Sequence, residues 1–196
     1  PWIKPLAAVS TSAMPEPDIH DDFVAFLKVL NDHHVEYIVI GGHAVMQHGY
    51  QRGTEDADIL VDKNDRVLWQ RIAEGLGYKF HHDGGAFLQY DAPEAAAWDL
   101  DIMLVPAETF HRLWAEIQPS QLEGASVAVP SLQHLLALKI HALKHGHGLR
   151  VLKDMDDVAN LVLANRVDVR SEWFRQLFEK HGNMKLYERI VRILAE

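Results

Sequence analysis

Two aspartates separated by one residue, at the head of an apolar run, constrain this chain more than any other feature in it. Asp56-Ala57-Asp58 leads into Ile59-Leu60-Val61, a segment with the β-branched, apolar character of a buried strand. Side chains alternate between the two faces of a strand, so Asp56 and Asp58 share one face and stand about 7 Å apart along the backbone. Two carboxylates placed this way repel each other unless a cation lies between them. The suited cation is a hard one, Mg²⁺ or Mn²⁺, which takes oxygen ligands and completes its shell with water and substrate phosphates.

The residues leading to this pair read YIVIGGHAVMQHGYQRGTEDADILVD from Tyr37 to Asp62. Tyr37 to Ile40 suits a short buried strand, and Ala44, Val45 and His48 fit a short helix closed by Gly49. Between them stand Gly41 and Gly42. A glycine pair before a helix lets anion oxygens approach unpaired backbone N–H groups, and the helix dipole favours negative charge there. The residues that follow supply neither G-x-G-x-x-G nor G-K-[ST], so dinucleotide and Walker loops are excluded, and on its own the pair reads as a tight turn.

The rest of the chain divides at Pro130. Before it, Phe23, Phe26, Leu27 and Leu30 predict an amphipathic helix from Ile19 to Val35, capped by Asp18. A second helix runs from Asn64 to Leu76. Tyr78 to Phe80 and Phe87 to Tyr90 form a hairpin about Asp83-Gly84-Gly85. Trp98 to Val105 makes a further strand with Asp99, Asp101 and Met103 on one face. A helix from Ala107 to Ile117 and an edge strand from Ser126 to Val129 follow. After Pro130 the pattern is helical only: Leu132 to Leu143, Leu149 to Ala164, Ser171 to Lys180 and Asn183 to Leu194. The expected organisation is an N-terminal tail (1–18, with Met14 a candidate start), a mixed α and β core (19–129), and a helical subdomain (130–196) closing a cleft.

Lys139 is a separate clue. At 100° per residue it falls in the middle of the stripe made by Leu132, Leu135, Leu136 and Leu143, and a lysine there either snorkels to water or meets an acid or a phosphate. The next helix offers Asp154, at the border of an apolar face formed by Val151, Met155, Val158 and Val162. Arg150 and Asp154, like Lys153 and Asp157, are four apart, and the second pair reads as an ordinary surface salt bridge.

Together these motifs resemble the DNA polymerase β-like nucleotidyltransferase superfamily: a strand, Gly41-Gly42, thirteen residues (43 to 55), then Asp56-x-Asp58 and an apolar strand. Arg52-x-Thr54-x-Asp56-x-Asp58 has the form found in its bacterial abortive-infection, AbiEii-like, branch. Leu138-Lys139 with Ala142, then Arg150-x-x-Lys153-Asp154-x-x-Asp157, resembles that branch's second block. The resemblance implies an α+β fold, a small mixed sheet with flanking helices plus C-terminal helices, and transfer of a nucleoside monophosphate from an NTP to a hydroxyl. It implies that Asp56 and Asp58, with a third carboxylate on a neighbouring strand, are catalytic and hold the divalent metal. That third acid is Asp101, set deeper in its apolar strand, with Asp99 as rival. Gly41, Gly42, Arg52, Thr54, Lys139, Arg150 and Asp154 would bind the nucleotide, Asp154 by orienting Lys139. The acceptors implied are RNA or tRNA ends, protein side chains and small antibiotics, and the branch implies a toxin with a cognate antitoxin, or a phage-defence component.

Charge and composition set limits. A net charge of −9 speaks against a surface built to coat nucleic acid, although Lys139 to Lys153 is a local basic run without an acid. With no cysteine, thiolate metal sites are excluded and a cytoplasmic setting is expected. No apolar run reaches membrane-span length. His141 and His145 have the spacing of a helical metal pair, which keeps a histidine-based metallohydrolase as a competitor. A non-catalytic nucleotide-binding or antitoxin-like protein of the same fold is the other.

Overall fold

The computed structural model describes residues 22–32, 34–54, 56–93, 98–122 and 124–195. The tail, the Asp18 cap and the start of the first expected helix lie outside them. The apolar runs assemble a five-stranded mixed sheet in the order β1-β2-β5-β4-β3. Its strands are β1 (Ile38–Val39), β2 (Asp56–Asp62), β3 (Lys79–Asp83), β4 (Phe87–Asp91) and β5 (Asp99–Val105). β2 and β5 run parallel and in register throughout, from Asp56 opposite Asp99 to Asp62 opposite Val105. The other pairings are antiparallel.

Alternation sorts the side chains of β5. Leu100 and Ile102 are fully buried in the main core, while Asp101 and Met103 are half-buried on the opposite face. That core packs the sheet against α1 (Asp22–Asp32) and α3 (Arg66–Gly75) through Leu27, Leu30, Trp69 and Ala73. On the other side Ile38, Ile40 and Leu60 meet Phe110 and Leu113 of α4 (Ala107–Trp114). The short helix α2 (Gly41–Gln47) turns its buried Ala44 and Val45 into a third cluster.

That third cluster is built by α5 (Leu132–His145), α6 (Leu149–Ala164), α7 (Glu172–His181) and α8 (Met184–Ile193). Ser131 caps α5 by accepting from the His134 amide, and Asn183 caps α8 through the Leu186 amide, each satisfying an N–H with no intrahelical partner. No helix among the described residues is long and apolar enough to cross a membrane.

One strand departs from expectation. Ala125–Val129 (β7) is not an edge of the main sheet but pairs antiparallel with β6 (Gln118–Leu122) in a separate two-stranded sheet. β6 reads QPSQL, with a proline and four residues of little strand preference among which only Leu122 is apolar, so its conformation comes from its partner rather than from its own sequence.

Candidate active site

The parallel register of β2 and β5 sets Asp58 beside Asp101 on neighbouring strands, with Asp56 one turn of the pleat away opposite Asp99. Asp101 is the better-held acid of the rival pair. Gln89, its cross-strand neighbour on β4, donates through Nε2 to both Asp101 oxygens, at 3.1 and 3.4 Å. Asp99 is exposed and accepts from the Ala92 amide at 2.9 Å.

Gly41 closes over Asp58. Its φ of +59° belongs to the left-handed region, and a Cβ there would overlap the Asp58 carboxylate, so both backbone conformation and space require glycine. Next to it, a Cβ on Gly42 would come within 2.6 Å of Thr54 Oγ1 and 3.0 Å of an Arg52 guanidinium nitrogen. Thr54 and Arg52 therefore underlie the glycine loop. Gly41, Gly42, Arg52, Thr54 and Asp58 thus pack together.

Crowding of acids shows in their proton affinity. Burial first, then the charge of Asp101, pushes Asp58 up to about 6, against the lowering influence of Lys139 and Arg150. Burial also raises Asp101, opposed by the Gln89 hydrogen bond. Carboxylates that resist ionisation in this way fit a hard divalent cation, and the donor set is all oxygen. Among the described residues no three His, Asp or Glu side chains are gathered into a ligand set of their own. His141 and His145 do stack, with ring centroids 4.6 Å apart, as a pair only.

Opposite the carboxylates, α5 and α6 carry a buried ion network. Lys139 Nζ lies 3.0 Å from Asp154 Oδ1 and 2.7 Å from Asp157 Oδ2. Asp157, fully buried, also receives Arg52 through Nε at 2.6 Å and Nη2 at 3.0 Å, while Arg52 Nη1 donates to the Gly53 carbonyl. Asp154 is thus the partner of Lys139, as its place on the helix suggested. Asp157 is not a surface partner of Lys153; it is the centre of the network. The buried face of α6 comprises positions 154, 155, 157, 158, 159, 161 and 162, and including Leu161 in the helical pattern would have placed Asp157 on it. Arg52 lines the cleft, and each of its guanidinium nitrogens is also engaged by the protein, so it supports the loop from below. Arg150 reaches only to 4.0 Å from Asp154 Oδ2 and keeps 64% of its side chain exposed.

These groups enclose one cleft of about 890 Å³, lined by Gly41, Gly42, Asp56, Asp58 and Asp101 on the sheet side and by Lys139, Arg150, Lys153 and Asp154 on the helical side. Carboxylates of the sheet and cationic side chains of α5 and α6, Lys139 among them with its Asp154 partner, line a space large enough for a nucleotide.

The model of a family described as uncharacterised nucleotidyltransferase matches residues 10–196. No curated protein matches the chain significantly. Among solved structures, ANT(2″)-Ia in complex with adenylyl-2″-tobramycin is similar at a TM-score of 0.58 and 12% identity, over 82% of this chain and 97% of that one. The lincomycin-bound lincosamide antibiotic adenylyltransferase LnuA is similar at 0.53 and 19%, over 71% and 93%. An antigenic nucleotidyltransferase-like protein from Paracoccidioides brasiliensis is similar at 0.50 and 15%, over 85% and 89%.

Proposed function

The chain belongs to this nucleotidyltransferase family, and from that premise we propose that it moves a nucleoside monophosphate from an NTP to a hydroxyl of a second substrate, with a divalent metal bound at Asp56 and Asp58. The observation that carries this reading is the in-register pair Asp58 and Asp101, with Gly41 closed against Asp58. In the proposal residues 19–129 form the catalytic core, and the helices of 130–196 close the cleft over the triphosphate.

The acceptor oxygen bonds to the α-phosphorus as the bond from that phosphorus to the α–β bridging oxygen breaks, and pyrophosphate leaves with the electron pair. Asp101, whose proton affinity is raised by burial, takes the hydroxyl proton at its carboxylate. Asp56 and Asp58 would hold Mg²⁺ or Mn²⁺, which supplies positive charge to the triphosphate and the developing oxyanion. The backbone of Gly41 and Gly42 lies against the phosphates. Lys139 and Arg150 neutralise them from the helical side, Asp154 and Asp157 orient Lys139, and Arg52 and Thr54 fix the loop. Such a reaction depends mainly on positioning and electrostatics.

A neighbour named as a lincosamide antibiotic adenylyltransferase and another in complex with adenylyl-2″-tobramycin support a small-molecule acceptor. A second reading has an RNA or protein acceptor, with the chain as an AbiEii-like toxin held by a cognate antitoxin in the cytoplasm. What supports it is that the two motifs of that branch meet physically, Arg52 and Lys139 sharing Asp157.

Purified protein with each NTP and Mg²⁺, supplied with a cell extract, should release pyrophosphate and label an acceptor. Asp58→Ala should keep the fold and lose the metal-dependent transfer. Transfer by that variant at the wild-type rate would end the proposal.

A further inference from the structure

The register of the sheet extends the carboxylate pair into a longer row. Asp58 lies opposite Asp101, Asp101 opposite Gln89, and Gln89 opposite His82. Paired residues of adjacent strands point to the same face, so four polar side chains cross four strands in one line, and all four line the cleft. Beside this row on the same face runs an apolar one, in which Met103 pairs with Phe87; both are half-buried cleft residues.

The two ends of the row differ. At the Asp58 end Gly41 closes against the carboxylate, and the cleft cations Arg52, Lys139, Arg150 and Lys153 all stand on the loop before β2 or on α5 and α6. The β3–β4 end contributes His82, Gly84, Ala86, Phe87 and Gln89 to the cleft, without a lysine or arginine among them. A nucleic acid acceptor brings phosphates that need cations along their path, and among the described residues the cleft lining at this end carries none, Arg66 near the turn being held by Asp83. Hydrogen-bonding groups beside an aromatic and a thioether instead suit a ring with hydroxyls on its edge and C–H bonds on its face.

We propose that the β3–β4 end of the cleft is the acceptor subsite and takes a small polyhydroxylated ring compound without negative charge, such as a sugar, amino sugar or cyclitol. Its reacting hydroxyl lies at Asp101, a neighbouring hydroxyl meets His82, and its C–H face rests on Phe87 and Met103. This rests on the nucleotidyl-transfer reading. The hydroxyl oxygen bonds to the α-phosphorus, pyrophosphate departs, and the hydroxyl proton passes to Asp101. Gln89 is a positioning residue, acting through Asp101.

The test supplies the full chain with Mg²⁺ and an NTP labelled at the α-phosphate, together with a panel of monosaccharides, amino sugars and cyclitols or with total RNA. Label on a ring compound is expected. His82→Ala, on an exposed edge strand, should raise the KM for that compound about tenfold, the equivalent of one lost hydrogen bond, while the KM for the NTP stays within about twofold. Phe87→Ala should act in the same direction. Label on RNA or protein, or an acceptor KM unmoved by both substitutions, would overturn the subsite and leave nucleotidyl transfer standing. Absence of pyrophosphate release with every acceptor, extract included, would remove both.

Discussion

The carboxylate of Asp157 on α6 grips the guanidinium of Arg52, 105 residues earlier, through both oxygens at 2.6 and 3.0 Å. The same carboxylate lies 2.7 Å from Lys139. One fully buried acid therefore joins the segment beneath the glycine loop to the two helices that form the opposite wall. Removing one partner of a buried network leaves the others uncompensated. Asp157→Ala should destabilise the protein by about 3–5 kcal/mol in urea unfolding, and Arg52→Lys, which keeps the charge but loses the fork, by less. A loss under about 1 kcal/mol for Asp157→Ala would show the network to be incidental.

Glycine 41 should behave unlike other left-handed glycines. Gly124 has a φ of +84° but nothing within 4 Å of a Cβ, so Gly124→Ala should cost about 1–2 kcal/mol of stability and leave nucleotide transfer unchanged. Gly41→Ala meets the same backbone cost and in addition drives a methyl into the Asp58 carboxylate. A displaced catalytic group lowers rates about 100-fold per ångström. Transfer rates for the two variants, set beside their melting temperatures, separate the effects; equal activity would deny Gly41 its role.

Two buried groups should give opposing pH dependences in the metal-free protein. Asp58 is raised from 3.8 to about 6, so between those values the native state keeps a proton the unfolded chain has lost, and rising pH lowers stability. His43 is lowered from 6.5 to about 4 by burial and by the charge of Arg52. Between those values the unfolded chain binds a proton that the native state refuses, and rising pH raises stability. Each effect amounts to about 3 kcal/mol, and Asp101, raised like Asp58, adds to the falling side. Urea midpoints from pH 4 to 6.5 should therefore tilt upward with pH in Asp58→Asn and downward in His43→Phe, relative to wild type. Two curves parallel to the wild type would contradict both assignments.

The sheet side of the site was legible because strand period and hydrophobicity act locally. The alternation of WDLDIMLV placed Asp101 and Met103 on one face, and the Asp-x-Asp spacing did the same for Asp56 and Asp58. Lys139 was legible as a charge among leucines. Asp157 was not, because its i−4 lysine offered an ordinary explanation and its real partner lies 105 residues away. The anchoring of Arg52 by Asp157 was hidden for the same reason: a motif says where a cation stands, not which acid holds it. β6 was hidden by its polar, proline-containing sequence, and the row from Asp58 to His82 follows from a strand order that no local pattern encodes.

In the proposed reaction Asp101, held by Gln89 beside Asp58, takes the acceptor proton during nucleotidyl transfer. The most direct test of this role is the rate of Mg²⁺-dependent pyrophosphate release, coupled to acceptor labelling, in Asp101→Asn and in Asp99→Asn. Loss of a general base costs about 100- to 10,000-fold, so Asp101→Asn should fall by that factor while still binding NTP, and Asp99→Asn, whose acid is exposed and turned to the Ala92 amide, should stay within about twofold of wild type. Wild-type release by Asp101→Asn, or a loss confined to Asp99→Asn, would rule out Asp101 as the base.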